Sequence, residues 1–204
     1  MRPSDPELTT RRQIITRLKE VLERALADGT RYADLEVEQL AQDAGISRSS
    51  FYVYFEGKVD LIRELADEVI AGVIDIGREW WELPPAATWD DLHAALGHMM
   101  RAYRAQAPLV GVLVEAAAYD ERVRAEYLSL VRRSRRAIEE HIRDGQTRGF
   151  IRAEINPDTT ATWLTGMLSR GSHELIRPAT PAQFDKRLKA LTDIVWRTLY
   201  AGVR

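Results

Sequence analysis

Cysteine is absent from the 204 residues, which removes disulfides, thiolate zinc sites and cysteine nucleophiles together and agrees with a reducing compartment. Net charge is nearly absent as well. The formal value is −2, and over residues 1–58 acidic side chains slightly outnumber basic ones, so any reading toward nucleic acid must rest on local placement of a few cations. Long apolar runs are missing: nothing approaches a membrane span, and the start MRPSDPELTTRRQ lacks the apolar stretch of a signal peptide. The expectation is a cytoplasmic protein with no membrane partner. Histidine is scarce, with only His93, His98, His141 and His173, and the nearest pair is spaced five apart instead of the four that sets two ligands on one helical face. No metal and no cofactor are expected. Serines lack a nearby histidine or a nucleophile elbow, and carboxylates mostly alternate with Arg and Lys as solvated helix faces do, so the chain does not read as an enzyme.

Strand alternation, internal repeats and low complexity are also lacking, and what remains is helical periodicity. Hydrophobic residues make up 45% and charged residues 29% of the chain, the balance of a globular protein with room for a small domain joined to a larger one. Ile14, Ile15, Leu18, Val21, Leu22, Ala25 and Leu26 recur at helical spacing up to Asp28 and Gly29. Val37, Leu40, Ala41 and Ala44 form a short second helix closed by Gly45, and Ser47 caps a third. A connecting helix over residues 58–79 carries Leu61, Ile62, Leu65, Val69, Ile70, Val73 and Ile74, and Pro84 and Pro85 end it at the latest. Further helices are predicted over residues 91–106, 108–119, 121–146, 157–175 and 183–200, with Asn156 before Pro157 as a cap and first-turn proline. The expected fold is all-α with about nine helices: an N-terminal three-helix domain over residues 1–57 and a larger helical domain over residues 58–204.

Residues 36–55, EVEQLAQDAGISRSSFYVYF, have the parts of a helix-turn-helix. Ala41 is small enough for two helices to cross closely, Gly45 permits the turn, and Leu40, Ile46, Phe51 and Phe55 supply a shared core. Four aromatic rings fall within residues 51–55. Phe51 and Phe55, four apart, belong to one face; Tyr52 and Tyr54 point away from it, with Ser49 and Val53 roughly opposite, which frees a second face for DNA.

The run A-x-x-x-G-I-S-R-x-x-F-Y-x-Y-F followed by G-K-x-x-L resembles the tetracycline-repressor (TetR) family of transcription regulators, over about residues 12–65. The resemblance implies that the third helix is the recognition helix. Ser47, at its start, with Arg48, Ser49 and Ser50 would approach bases or nearby phosphates, Tyr52 and Tyr54 would reach the backbone or a thymine methyl, and Lys58 would contact a phosphate. The sequence departs from the family pattern at Glu36 and Val37, where a capping Thr or Ser is usual, at Val53, often polar, and at Glu56 and Gly57 before the lysine.

The C-terminal part shows shorter resemblances, W-x-x-x-M-x-x-R over residues 163–170 and IVWRTLY over residues 194–200, to the EthR-like branch of the family. That resemblance implies a homodimer formed through the last two helices, a double-stranded DNA operator as partner, and a small apolar effector that releases the protein from it. Each alone, Trp80, Met99, Met100, Tyr103, Leu113, Trp163, Met167 and Trp196 read first as ordinary core, and as a group, together with Trp81 and Trp89, they could line an effector pocket. Thr165, Ser169 and Arg170 would be polar handles, unless Arg170 pairs with Glu174. The run RRSRR at residues 132–136 reads as a solvated face, with Arg135 and Arg136 each four residues before a glutamate. The alternative to a ligand-responsive repressor is a helical interaction protein whose degenerate helix-turn-helix no longer binds DNA.

Overall fold

Helical periodicity in the sequence becomes helix throughout. The computed structural model describes residues 6–202, with side chains for all of these except 6–9, 67–71, 73 and 74. Four positions that predicted the connecting helix, Val69, Ile70, Val73 and Ile74, lie outside the described side chains. The described residues form eight α-helices, and none is in a strand. They are α1 (Pro6–Ala27), α2 (Val37–Asp43), α3 (Arg48–Tyr54), α4 (Lys58–Trp81), α5 (Trp89–Ala116), α6 (Glu121–Arg148), α7 (Pro157–Gly171) and α8 (Pro181–Leu199), with a 3-10 turn at Tyr32–Asp34 and a π-helical turn at Ser172–Ile176.

Two compact units result. The first comprises residues up to Val69 together with Pro108–Tyr127; the second comprises Ile70–Ala107 and Leu128–Arg204. In the first unit α2 packs against both α1 and α3. Leu18, Leu22, Leu40, Ala41, Phe51, Phe55 and Leu61 are all essentially withdrawn from water, and each of the larger ones contributes about 1.5–3 kcal/mol relative to exposure. Gly45, at φ +69, makes the turn between α2 and α3 in a backbone region that side chains with a Cβ avoid. Its N–H bonds to the Gln42 carbonyl at 3.0 Å while the Ile46 N–H bonds to that of Ala41 at 2.9 Å, which terminates α2.

The second unit has its own core, built from Trp80 of α4, Leu92, Leu96 and Met100 of α5, Ile138 and Ile142 of α6, Ala161 and Leu164 of α7, and Phe184, Leu188, Val195 and Leu199 of α8. Gly145 lets Ile151 close over α6: a Cβ there would come within 2.5 Å of the Ile151 side chain.

Two expected boundaries differ. Residues 91–106 and 108–119 are not separate helices, because α5 runs unbroken through Pro108 to Ala116. A proline costs an interior helix about 3 kcal/mol, and the buried residues on both sides, Ala107, Leu109, Val110, Val112 and Leu113, hold the helix despite it. The helix expected to run to residue 175 is α-helical only to Gly171, after which an extra residue per turn gives the π form, closed by the Arg177 N–H to the Ser172 carbonyl at 2.9 Å.

Candidate nucleic-acid interface

α3 is short, and its start is held by hydroxyls. The Ser47 Oγ accepts from the Ser50 N–H at 3.0 Å and lies 2.8 Å from both the Ser49 and Ser50 hydroxyls, so the cap is a cluster of three serines. Ser47, Arg48 and Ser49 are exposed and Ser50 is half-buried. Behind them Phe51 and Phe55 are buried with their rings 5.1 Å apart. Tyr52 meets Phe51 edge-on at 5.6 Å, which steadies an aromatic ring that is itself 48% exposed. Val53 is 75% exposed. Tyr54 is half-buried, its ring 6.5 Å from that of Phe55.

The exposed face of α3 is thus Arg48, Ser49, Tyr52 and Val53, two adjacent pairs one helical turn apart. Arg48 is already engaged: its guanidinium lies 3.7 Å from the Glu38 carboxylate on α2 and 5.8 Å from the centre of the Tyr52 ring. Both members of the ion pair are mostly exposed, so it is weak and breakable. The role of Glu38 is not legible in the sequence, since nothing in the spacing of α2 and α3 says which side chains meet across the turn.

Lys58 sits differently from the other candidates. Its ammonium donates to the carbonyls of Tyr32 and Ala33, each at 3.2 Å, and of Leu35 at 2.5 Å, and it lies 5.1 Å from the centre of the Tyr32 ring. Three donors meet three carbonyls of the 3-10 turn that leads into α2. Tyr32 is buried with no partner for its hydroxyl, and burial, then the charges of Glu115 and Asp120, push its phenol well above the ordinary range. Just outside, the Arg31 guanidinium holds the Asp34 carboxyl below its usual value through a hydrogen bond of 2.7 Å.

The family model described as bacterial regulatory proteins, tetR family, matches residues 31–65, the segment that contains the 3-10 turn, α2, α3 and the start of α4. The model described as a tetracyclin repressor-like C-terminal domain matches residues 86–195, more than half of the chain.

The chain belongs to the TetR family.

It is therefore a DNA-binding transcription regulator and not an enzyme. Solved structures share the fold. A putative transcriptional regulator from Saccharomonospora viridis in complex with choline aligns with a TM-score of 0.74 at 18% identity, covering 94% of this chain and 98% of that one. A putative TetR-family regulator from Mesorhizobium loti MAFF303099 gives 0.72 at 16% identity, covering 97% and 100%. The fatty acid degradation regulator FadR from Bacillus halodurans gives 0.67 at 19% identity, covering 100% and 99%. No curated protein matches the sequence.

The candidates for an effector pocket in this TetR-family chain are placed differently from one another. Trp80 and Met100 are fully buried, while Met99, Met167 and Trp196 pack partly buried against the same core. Tyr103 is half-buried in the second unit. Leu113 belongs to the first unit, and Trp163, 77% exposed, turns outward. Trp89 stacks on His93 at 4.7 Å and donates to Asp193 at 2.9 Å. Of the polar handles, Arg170 pairs with Glu174 at 2.9 Å, while the Thr165 hydroxyl is buried without a partner. Arg135 pairs with Glu139 at 2.8 Å and with Asp158 at 2.5 Å. Among the described residues no group of side chains could hold a metal ion, and no helix is long and apolar enough to cross a membrane.

Proposed function

We propose that this TetR-family regulator acts in the cytoplasm as a homodimeric repressor, released from its operator by a small, largely apolar effector. The observation that carries the DNA-binding part is the exposed face of α3, with Arg48, Ser49, Tyr52 and Val53 outward on a base fixed by Phe51 and Phe55. Ser47, Ser50 and Tyr54 flank that face and would position it on phosphates. Lys58 acts from behind it, by fixing the turn into α2.

A homodimer is supported by three large apolar side chains left in water on the last elements: Trp163 of α7 at 77%, Leu175 of the π turn at 51% and Ile194 of α8 at 48% exposure. Helix-turn-helix dimers read half-sites about one DNA turn apart. An effector is supported by the second unit, where Met99, Met167 and Trp196 are only partly buried around the core and Thr165 has a buried hydroxyl with no partner. The choline complex of the Saccharomonospora regulator adds that a chain of this fold takes a small organic molecule. The effector would act by population shift, favouring a spacing of the two recognition helices that no longer fits the half-sites.

The test is binding to DNA upstream of the protein's own gene, measured against salt. A complex whose affinity falls steeply with salt, and which is lost on adding a compound that raises the melting temperature in a thermal-shift screen, is the expected result. No salt-sensitive binding at any candidate operator would leave the helical interaction protein as the better reading.

A further inference from the structure

Val53 is the residue of α3 that the functional reading leaves without a task. It stands 75% exposed on a helix whose other outward residues are polar or aromatic. A valine cannot donate or accept a hydrogen bond, so it contributes nothing to phosphate contacts or to the edges of guanine, adenine and cytosine. In the major groove one base offers a matching surface, the C5 methyl of thymine. We infer that Val53 reads a thymine methyl in each operator half-site and is a specificity-determining residue of this regulator, an inference that rests on the operator-binding reading.

The neighbouring side chains favour this occupant. Ser49 is one turn before Val53 on the same side of α3, about 6 Å along the axis, and Tyr52 lies beside it with its ring braced against Phe51. The result is a narrow apolar spot bordered by hydroxyls, too small for a protein partner and matched to a base edge. Arg48, the outward side chain on α3 able to make a two-pronged contact with guanine, is shared between the Glu38 carboxylate and the Tyr52 ring. Direct reading by hydrogen bonds is thereby reduced, and an apolar contact carries a larger share of discrimination.

The experiment begins with operator duplexes selected from a randomised pool by the full-length protein. Each thymine is then replaced singly by deoxyuracil, which removes only the methyl, and affinities are measured for the native chain and for Val53→Ala. At one thymine per half-site the replacement is expected to weaken the native protein about fourfold, the value of one buried methyl-sized group. Val53→Ala should bind the thymine and uracil duplexes alike at that position. Because Val53 is exposed, the variant keeps its fold, which circular dichroism checks. If every replacement leaves native affinity unchanged, or if Val53→Ala shows the same loss, the inference fails while operator binding stands. If no duplex is enriched and no salt-sensitive binding occurs, the operator reading fails and takes this inference with it.

Discussion

Lys58 shows how one side chain can carry a meaning that its neighbours in sequence do not reveal. At the start of α4 in a TetR-like motif it reads as a phosphate contact, yet in the folded chain its ammonium is taken up by three carbonyls 23 to 26 residues earlier. Those carbonyls belong to a turn whose shape sets where α2 begins, and the N-cap of α2, Glu36, brings no side-chain hydrogen bond of its own. A cation that ties these carbonyls together fixes the path of the chain into α2, and it leaves the first N–H groups of the helix uncapped by any side chain. Lys58→Met, which keeps the apolar stem and removes the charge, is expected to lower the stability of the DNA-free protein by about 1.5–3 kcal/mol, the range for hydrogen bonds to a charged group. Urea denaturation without DNA checks this. The slope of affinity against salt should stay that of the native chain. A variant with native stability and a salt slope smaller by about one would instead put Lys58 on a phosphate.

Among the elements, the helix ends show most plainly what chain order discloses. The cap at Ser47, the turn at Gly45 and the inward pair Phe51 and Phe55 are local signals with fixed spacing, and each appears in the structure where the sequence puts it. The unbroken α5 was not legible, because Pro108 is a local stop signal overruled by buried neighbours on both sides. The candidate site divides in the same way: the outward placement of Ser49, Tyr52 and Val53 follows from periodicity, whereas Tyr54, expected outward as well, is half-buried beside Phe55, and the grip of Glu38 on Arg48 depends on how two helices cross. A network joining the C-terminal ends of α4 and α8 to α6 was equally invisible. The His141 Nδ1 lies 3.0 Å from the Trp81 carbonyl, which can only accept, so Nδ1 carries the hydrogen. The neutral Nε2 then accepts from the Tyr200 hydroxyl at 2.7 Å, and that oxygen accepts from the Trp80 indole at 3.0 Å. Every partner is used once, and protonating Nε2 would take away the acceptor of the Tyr200 hydroxyl hydrogen and force it to turn elsewhere. Burial, the largest effect, lowers the His141 pKa below its ordinary value, against smaller raising effects from the Trp81 carbonyl and Asp144, while Arg148 also lowers it. The unfolded chain therefore takes up this proton first as pH falls through about 6.5, and stability is complete above that value and declines below it. Thermal melts from about pH 7.5 down to about pH 5 should show a falling midpoint. His141→Gln is expected to be less stable at neutral pH and to show a shallower decline; an equal decline in both would place the titration elsewhere.

For the whole molecule, an operator of two half-sites needs two copies of the chain, and the apolar side chains left outside the second unit give the most direct handle on that assembly. Trp163 is 77% exposed on α7, and Leu175 and Ile194 are each about half exposed beyond it. A twofold interface doubles every contact, so a tryptophan near the axis enters twice, and a well-packed interface tryptophan contributes on the order of 2–4 kcal/mol. Trp163→Glu would set a carboxylate into each half of such an interface while leaving a single chain's core untouched. The expected outcome is a folded monomer by sedimentation and circular dichroism at concentrations where the native chain is a dimer. Operator affinity should drop by about tenfold or more, since linking two half-sites adds binding without new contacts. Binding to a single half-site, measured at low salt, should be nearly unchanged, because α3 and its supports lie in the other unit. A variant that remains a dimer would move the interface away from α7, and one that loses half-site binding as well would make Trp163 a residue on which the fold depends.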